Sequence, residues 1–313
     1  MKKNFFSLIF LLLLFCLYSC NNSNTGTTTQ NEDHAVPEVK ALFINGDSIH
    51  YIDIGKGDPV VFVHGALGDY RSWRAQMDTF VKNHRVIAYS RRFAYPNNQV
   101  INDSADLTHI SHSKDLDEFL KALNLGPAHL VGHSAGANIA LLTTINHPEL
   151  VRSLTLGEAL IPSPLQNVPG GDAVLNNFTK ALMPLSEAIK NNDNEKIARA
   201  LLTAVTGDSL SFSNLPQWQR AIMIANTADI RGSLMYSKDT FPPLTCDDLK
   251  KIKAPILLLN GDKSPLFFTS ASDELNRCLS NRERMTLPNS SHGLYEQNPT
   301  EFNKIVLRFI DKH

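Results

Sequence analysis

Cysteine is scarce in this chain, with four in 313 residues. Cys16 and Cys20 belong to the leader described below, so only Cys246 and Cys278 remain for the folded part. That excludes a small scaffold held together by many disulfides. The two could pair in an oxidising compartment, but spacing alone does not say whether their Cα atoms come close. No CxxC, HExxH or comparable metal spacing occurs, so neither a metal nor a cofactor is expected. Excess charge is also missing: 30 Lys and Arg stand against 31 Asp and Glu, and no run of like charges follows the leader. The chain therefore carries no basic footprint for nucleic acid. The apolar stretch Phe5 to Leu17 is too short for a confident membrane span.

That stretch instead has the size of a signal-peptide core. It follows Lys2 and Lys3 and closes on Leu17-Tyr18-Ser19-Cys20, which resembles a bacterial lipobox with Cys20 as the lipidated residue. Residues 1–20 are read as a lipoprotein-type signal peptide. Residues 21–37, rich in Asn, Thr and Ser at their start, are read as a flexible tether. The expectation is an enzyme attached to a membrane through a lipid anchor, outside the cytoplasm.

From residue 38 on, the chain is long enough for one α/β domain with an insertion. Short apolar runs at Val39–Ile44, Ser48–Ile54, Val60–Val63, Val86–Tyr89, His129–Gly132, Ser153–Leu156, Ile256–Leu259 and Arg284–Leu287 read as strands. Asn45-Gly46 suits a hairpin turn between the first two. Helical spacing recurs between later strands, as in Leu116, Phe119, Leu120 and Leu123, and in Phe302, Ile305, Val306, Phe309 and Ile310 after a start at Asn298-Pro299. The alternation predicts a mostly parallel, eight-stranded sheet flanked by helices. It breaks between about residues 162 and 243, where helical segments punctuated by Pro and Gly suggest a cap over the functional edge of the sheet.

Within that frame, Gly132-His133-Ser134-Ala135-Gly136 matches G-x-S-x-G, with a strand before it and a helix after it. Ser134 is the candidate nucleophile. Its candidate base is His292, in the loop Ser290-Ser291-His292-Gly293 between the last strand and the last helix. His133 is expected to point elsewhere, and His109 and His112 sit in polar, loop-like sequence. An oxyanion needs two donors. The backbone N–H of Ala135 follows the nucleophile, and the N–H of Ala66 lies in the small-residue loop His64-Gly65-Ala66-Leu67-Gly68.

Taken in order, Val63-His64-Gly65-Ala66, the segment around Ser134, the strand ending at Gly261 and the Ser291-His292-Gly293 loop resemble the α/β-hydrolase superfamily over residues 38–313. The resemblance implies a serine–histidine pair assisted by a carboxylate and no cofactor. In that family the acid most often stands three residues after such a glycine, where this chain has Ser264. Two alternatives remain: Asp262, just after Gly261, and Glu158, at the tip of the preceding strand, which is favoured. Arg91 and Arg92 follow the fourth strand, and Arg91 is a candidate for binding an acidic substrate group. Trp73 is a candidate for the pocket wall. The expected activity is hydrolysis of a small-molecule ester through an acyl-enzyme. The rivals are a ligand-binding protein on the same fold, or a peroxide-using or carbon–carbon-cleaving relative.

Overall fold

The apolar runs become strands because β-branched and aliphatic residues fill both faces of a covered sheet. A computed structural model describes residues 37–97, 99–102, 105–236 and 241–313. The expected signal peptide, the lipidation site Cys20 and the tether up to residue 36 lie outside the described residues. The strands are β1 (Lys40–Ile44), β2 (Asp47–Gly55), β3 (Pro59–Val63), β4 (Arg85–Tyr89), β5 (Ala128–His133), β6 (Val151–Gly157), β7 (Ile256–Gly261) and β8 (Arg282–Leu287). They form one eight-stranded sheet in the order β1-β2-β4-β3-β5-β6-β7-β8. The β1–β2 and β2–β4 pairs are antiparallel and the rest are parallel. Asn45 and Gly46 turn the first hairpin with φ of 49° and 85°, the positive values a two-residue turn of this hand requires.

The helices before the helical insertion are α1 (Arg74–Phe80), α2 (His109–Ala122) and α3 (Ala135–Asn146). Between β6 and β7 come α4 (Gly171–Leu182), α5 (Pro184–Lys190), α6 (Asn194–Thr206), α7 (Ser211–Asn214), α8 (Gln217–Ala225), α9 (Thr227–Tyr236) and α10 (Cys246–Lys250). The domain closes with α11 (Leu266–Cys278), α12 (Leu294–Gln297) and α13 (Pro299–Ile310). The start of α13 follows from its sequence. The Asn298 side chain accepts the Glu301 N–H at 3.3 Å, and Pro299 occupies the first helical position, where its missing N–H costs nothing.

Apolar side chains bury both faces of the sheet. On one face Leu116, Phe119 and Leu120 of α2 pack with α3 against β3, β5 and β7. On the other, Phe302, Val306 and Phe309 of α13 pack with Phe80 against Phe62 and Leu257. Each such side chain contributes roughly 1.5–3 kcal/mol on burial. A third cluster belongs to the insertion, where Leu185, Ile197, Leu201 and Phe212 meet Phe267 and Phe268 of α11 and Leu67 of the β3 loop. Cys246 at the start of α10 is bonded to Cys278 at the end of α11, with Cα atoms 4.9 Å apart, which answers the pairing left open by the sequence.

Candidate active site

The β5–α3 junction sets up the site. Ser134 takes φ 53° and ψ −119°, a conformation that costs a non-glycine residue about 1–3 kcal/mol. Packing over-determines it. The Ser134 N–H donates to the Gly157 carbonyl at 2.9 Å, and the Ser134 carbonyl accepts from Ala137 and Leu160. The flanking glycines are required by close approach. A Cβ on Gly136 would lie 2.2 Å from the Val63 carbonyl oxygen, and one on Gly132 would lie 2.6 Å from the Ala137 Cα. A cavity of about 650 Å³ opens over this edge of the sheet, with Ser134, Ala66, Ala135 and His292 on its wall. Much of the rest is apolar and comes from the insertion, including Leu182, Leu201, Val205 and Met223.

His292 is buried and stacks on Phe268, with ring centroids 4.1 Å apart. Its Nδ1 lies 3.6 Å from Oε2 of Glu158. Glu158 follows β6 with φ 48° and is 1 % exposed. Its other oxygen, Oε1, accepts from the Ser264 hydroxyl at 2.7 Å, Asn260 Nδ2 at 2.9 Å and the Gly261 N–H at 3.0 Å. Ser264, which stands where the family most often has its acid, thus donates to a carboxylate that reaches the histidine from the neighbouring strand. Asp262 faces away. Its exposed carboxylate accepts the Ser290 N–H at 3.0 Å, hydrogen bonds from the Asn289 N–H and then the Ser290 N–H lower its pKa, and it makes no ion pair with His292.

His133 also faces the site, contrary to the expectation that it points elsewhere. Its Nε2 lies 2.7 Å from the His292 carbonyl oxygen, so this nitrogen carries the proton and donates. Burial, and then the neighbouring His292, hold the His133 pKa well below the ordinary value, which keeps the ring neutral. His133 therefore positions the backbone of the His292 loop.

The loop after β3 is held from behind. His64 Nδ1 donates to the Gly65 carbonyl at 2.8 Å, and Arg91 Nη2 donates to it at 3.3 Å. His64 Nε2 in turn accepts the Arg91 N–H at 2.9 Å, which fixes the tautomer. The Gly65 carbonyl and the Ala66 N–H share one planar trans peptide, so donors on the carbonyl fix and polarise the N–H on the opposite edge.

The remaining expectations fare differently. Trp73 does not line the cavity. It is wholly buried between Phe62 and Tyr295, with ring centroids at 4.7 and 4.5 Å, because the 3-10 turn that carries it, Tyr70–Trp73, packs against β2 and β4. Arg91 does line the cavity but is not a free cation, since its Nη2 also donates to Asp229 Oδ2 of α9 at 2.8 Å. Arg92 turns away and pairs with Asp115. His109 and His112 are not loop residues. They open α2, are buried and reach the cavity, with His112 Nε2 3.6 Å from Asp229 Oδ1. Their spacing with Leu116 and Phe119 places them on the buried stripe of that helix, a signal the polar local sequence obscures.

Comparison with known proteins agrees with this architecture. A family model described as alpha/beta hydrolase fold matches residues 58–299. The chain is 25 % identical to a probable alcohol acetyltransferase of Cyberlindnera fabianii, over 89 % of this chain and 82 % of that one. It is 24 % identical to the sn-1-specific diacylglycerol lipase ABHD11 of Mus musculus, over 80 % of each. Carboxylesterase CesB from Bacillus subtilis superposes with a TM-score of 0.72 at 19 % identity, over 89 % of this chain and 93 % of that one, a likeness of fold alone.

Proposed function

Because the chain belongs to the alpha/beta hydrolase fold family, we propose that it cleaves a small-molecule ester through an acyl-enzyme on Ser134. The observation that carries this reading is the convergence on one cavity of Ser134, at its strained φ of 53°, and His292, whose Nδ1 faces a buried Glu158 at 3.6 Å. In this mechanism His292 Nε2, on the ring edge opposite Glu158, takes the hydroxyl proton as Ser134 attacks the ester carbonyl. The N–H groups of Ala66 and Ala135 hold the oxyanion. The imidazolium then protonates the departing alcohol, and water activated by the same ring releases the acid. Glu158 fixes the tautomer and stabilises the imidazolium. Labelling with a fluorophosphonate tests the assignment. Wild type should label and Ser134→Ala should not, with kcat falling on the order of 10³-fold or more. Equal labelling of the two refutes it.

The similarity to an alcohol acetyltransferase favours a second fate for the acyl-enzyme, in which an alcohol replaces water. Adding ethanol during turnover and measuring ethyl ester against free acid decides between the two fates. The insertion at about residues 162–243 acts in this reading as the cap that sets acyl-chain length. The domain is further proposed to be lipid-anchored through Cys20 outside the cytoplasm. The basic, apolar leader supports that location, and so does the Cys246–Cys278 bond, which suits an oxidising compartment. Cys20→Ala should leave the protein uncleaved or soluble, and normal membrane fractionation of that variant excludes the anchor.

A further inference from the structure

The cavity has a second polar face, beside the groups that act on the ester carbonyl. Arg91 follows β4, His109 and His112 open α2, and Asp229 reaches in from α9. The Arg91 side chain is 3 % exposed, that of His112 1 % and that of Asp229 10 %. Arg91 Nε, His109 Nδ1 and His112 Nδ1 are buried with no hydrogen-bond partner among the described residues, while His112 Nε2 and Asp229 Oδ1 face each other at 3.6 Å. Buried polar atoms are almost always satisfied, so orphans in residues that line a cavity point to a group that binds beside them. The face begins one peptide away from the Ala66 N–H, since Arg91 holds the Gly65 carbonyl. A ligand at Ser134 therefore has it within reach.

Charge decides what binds. Arg91 and Asp229 cancel as an ion pair at 2.8 Å. Burial, followed by the Arg91 charge on His112 and by His112 itself on His109, keeps both histidines neutral. The other cation on the cavity wall among the described residues, Lys263, follows β7 on the opposite flank. The face thus offers donors and acceptors but no surplus positive charge, and it presents a carboxylate of its own.

We propose that Arg91, Asp229, His112 and His109 form a subsite for an uncharged hydrogen-bonding group of the substrate, a hydroxyl, keto or amide, and that Asp229 keeps carboxylate-bearing esters out. A hydroxyl accepts from the Arg91 guanidinium and donates to a neutral imidazole, which satisfies both. A methyl group leaves them unpaired, and a site built for hydrogen bonds discriminates strongly against such an analogue. The proposal deepens the ester-hydrolase reading and rests on it.

The test uses two ester series whose far ends differ. Methyl 6-hydroxyhexanoate, methyl hexanoate and monomethyl adipate vary the acyl side. 6-Hydroxyhexyl acetate, hexyl acetate and 6-acetoxyhexanoate vary the alcohol side. Binding is measured by calorimetry to Ser134→Ala, which does not depend on turnover, and kcat/KM is measured on wild type. In one series the hydroxyl compound should bind about tenfold or more tightly than both the methyl and the carboxylate compounds. Asp229→Asn, nearly isosteric, uncovers the Arg91 charge and should move the carboxylate-to-hydroxyl ratio about tenfold or more toward the carboxylate. His109→Leu provides an independent reading and should collapse the hydroxyl-to-methyl ratio severalfold, with folding checked by thermal melts. Ratios that stay the same in both series and both variants overturn the subsite. If the binding order holds but wild type hydrolyses no ester, the catalytic reading fails and the subsite stands.

Discussion

Two histidine–carboxylate pairs face this cavity, each 3.6 Å apart: His292 with Glu158 on the β6–β8 flank, and His112 with Asp229 on the β4 flank. Separation alone would make them equivalent. Their surroundings differ. Neutral donors, the Ser264 hydroxyl, the Asn260 amide and the Gly261 N–H, hold Glu158 by one oxygen and leave the other for the histidine. Asp229 instead meets a guanidinium at 2.8 Å, which with His112 holds its pKa far below the ordinary carboxylate value despite burial. The same guanidinium, after burial, keeps His112 from protonating. A carboxylate whose charge is already matched by Arg91 cannot also stabilise an imidazolium to the same extent, so the second pair suits binding and the first suits base catalysis.

Breaking the first pair should have the largest effect. Glu158→Gln is expected to lower kcat roughly 10³–10⁴-fold on any ester, read from steady-state rates, with little change in thermal midpoint. Asp262→Asn, by contrast, should stay within about twofold, and the reverse order would move the acid to the β7 loop. Arg91→Gln comes next. It removes the charged donor behind the Gly65–Ala66 peptide and should cost about 10–100-fold in kcat, less than outright loss of an oxyanion donor. An unchanged kcat with altered KM would assign Arg91 to binding alone.

Smaller effects sharpen the comparison through stability. Cys246→Ser opens the bond that closes a sequence separation of 32 and should destabilise by about 3–4 kcal/mol at most, read from denaturant midpoints. Glu296, on the cavity wall three residues after Gly293, has a carboxyl that burial pushes up to about 7. A raised carboxyl binds its proton more tightly in the folded state, so this group's contribution is fully present below the unfolded value and declines as pH rises from about 4.5 to about 7. Glu296→Gln should therefore raise the thermal midpoint at pH 8 more than at pH 5. An equal shift at both pH values would show that Glu296 does not carry this dependence.

Legibility followed the range of the interactions. The eight strands and the helices α2 and α13 were readable because burial imposes a local period on apolar residues, with Leu116 and Phe119 on one stripe and Phe302, Val306 and Phe309 on another. The Ser134 turn was readable because the close approaches behind it demand glycine at fixed offsets. Trp73 was not, since an aromatic residue carries no local mark of which side of a sheet it will pack on. Nor was His133, whose donation to the His292 carbonyl joins positions 159 residues apart.

Local pattern by itself determined the sheet, the elbow at Ser134 and the loop that carries His292, because strand period, helix period and turn chemistry act over a few neighbouring residues. Tertiary structure alone decided which carboxylate faces which imidazole, that Cys246 meets Cys278, and that Arg91 arrives already neutralised by Asp229 of α9. Those outcomes depend on how strand ends and insertion helices converge in space. Electrostatics at the site is set by that convergence rather than by distance along the chain.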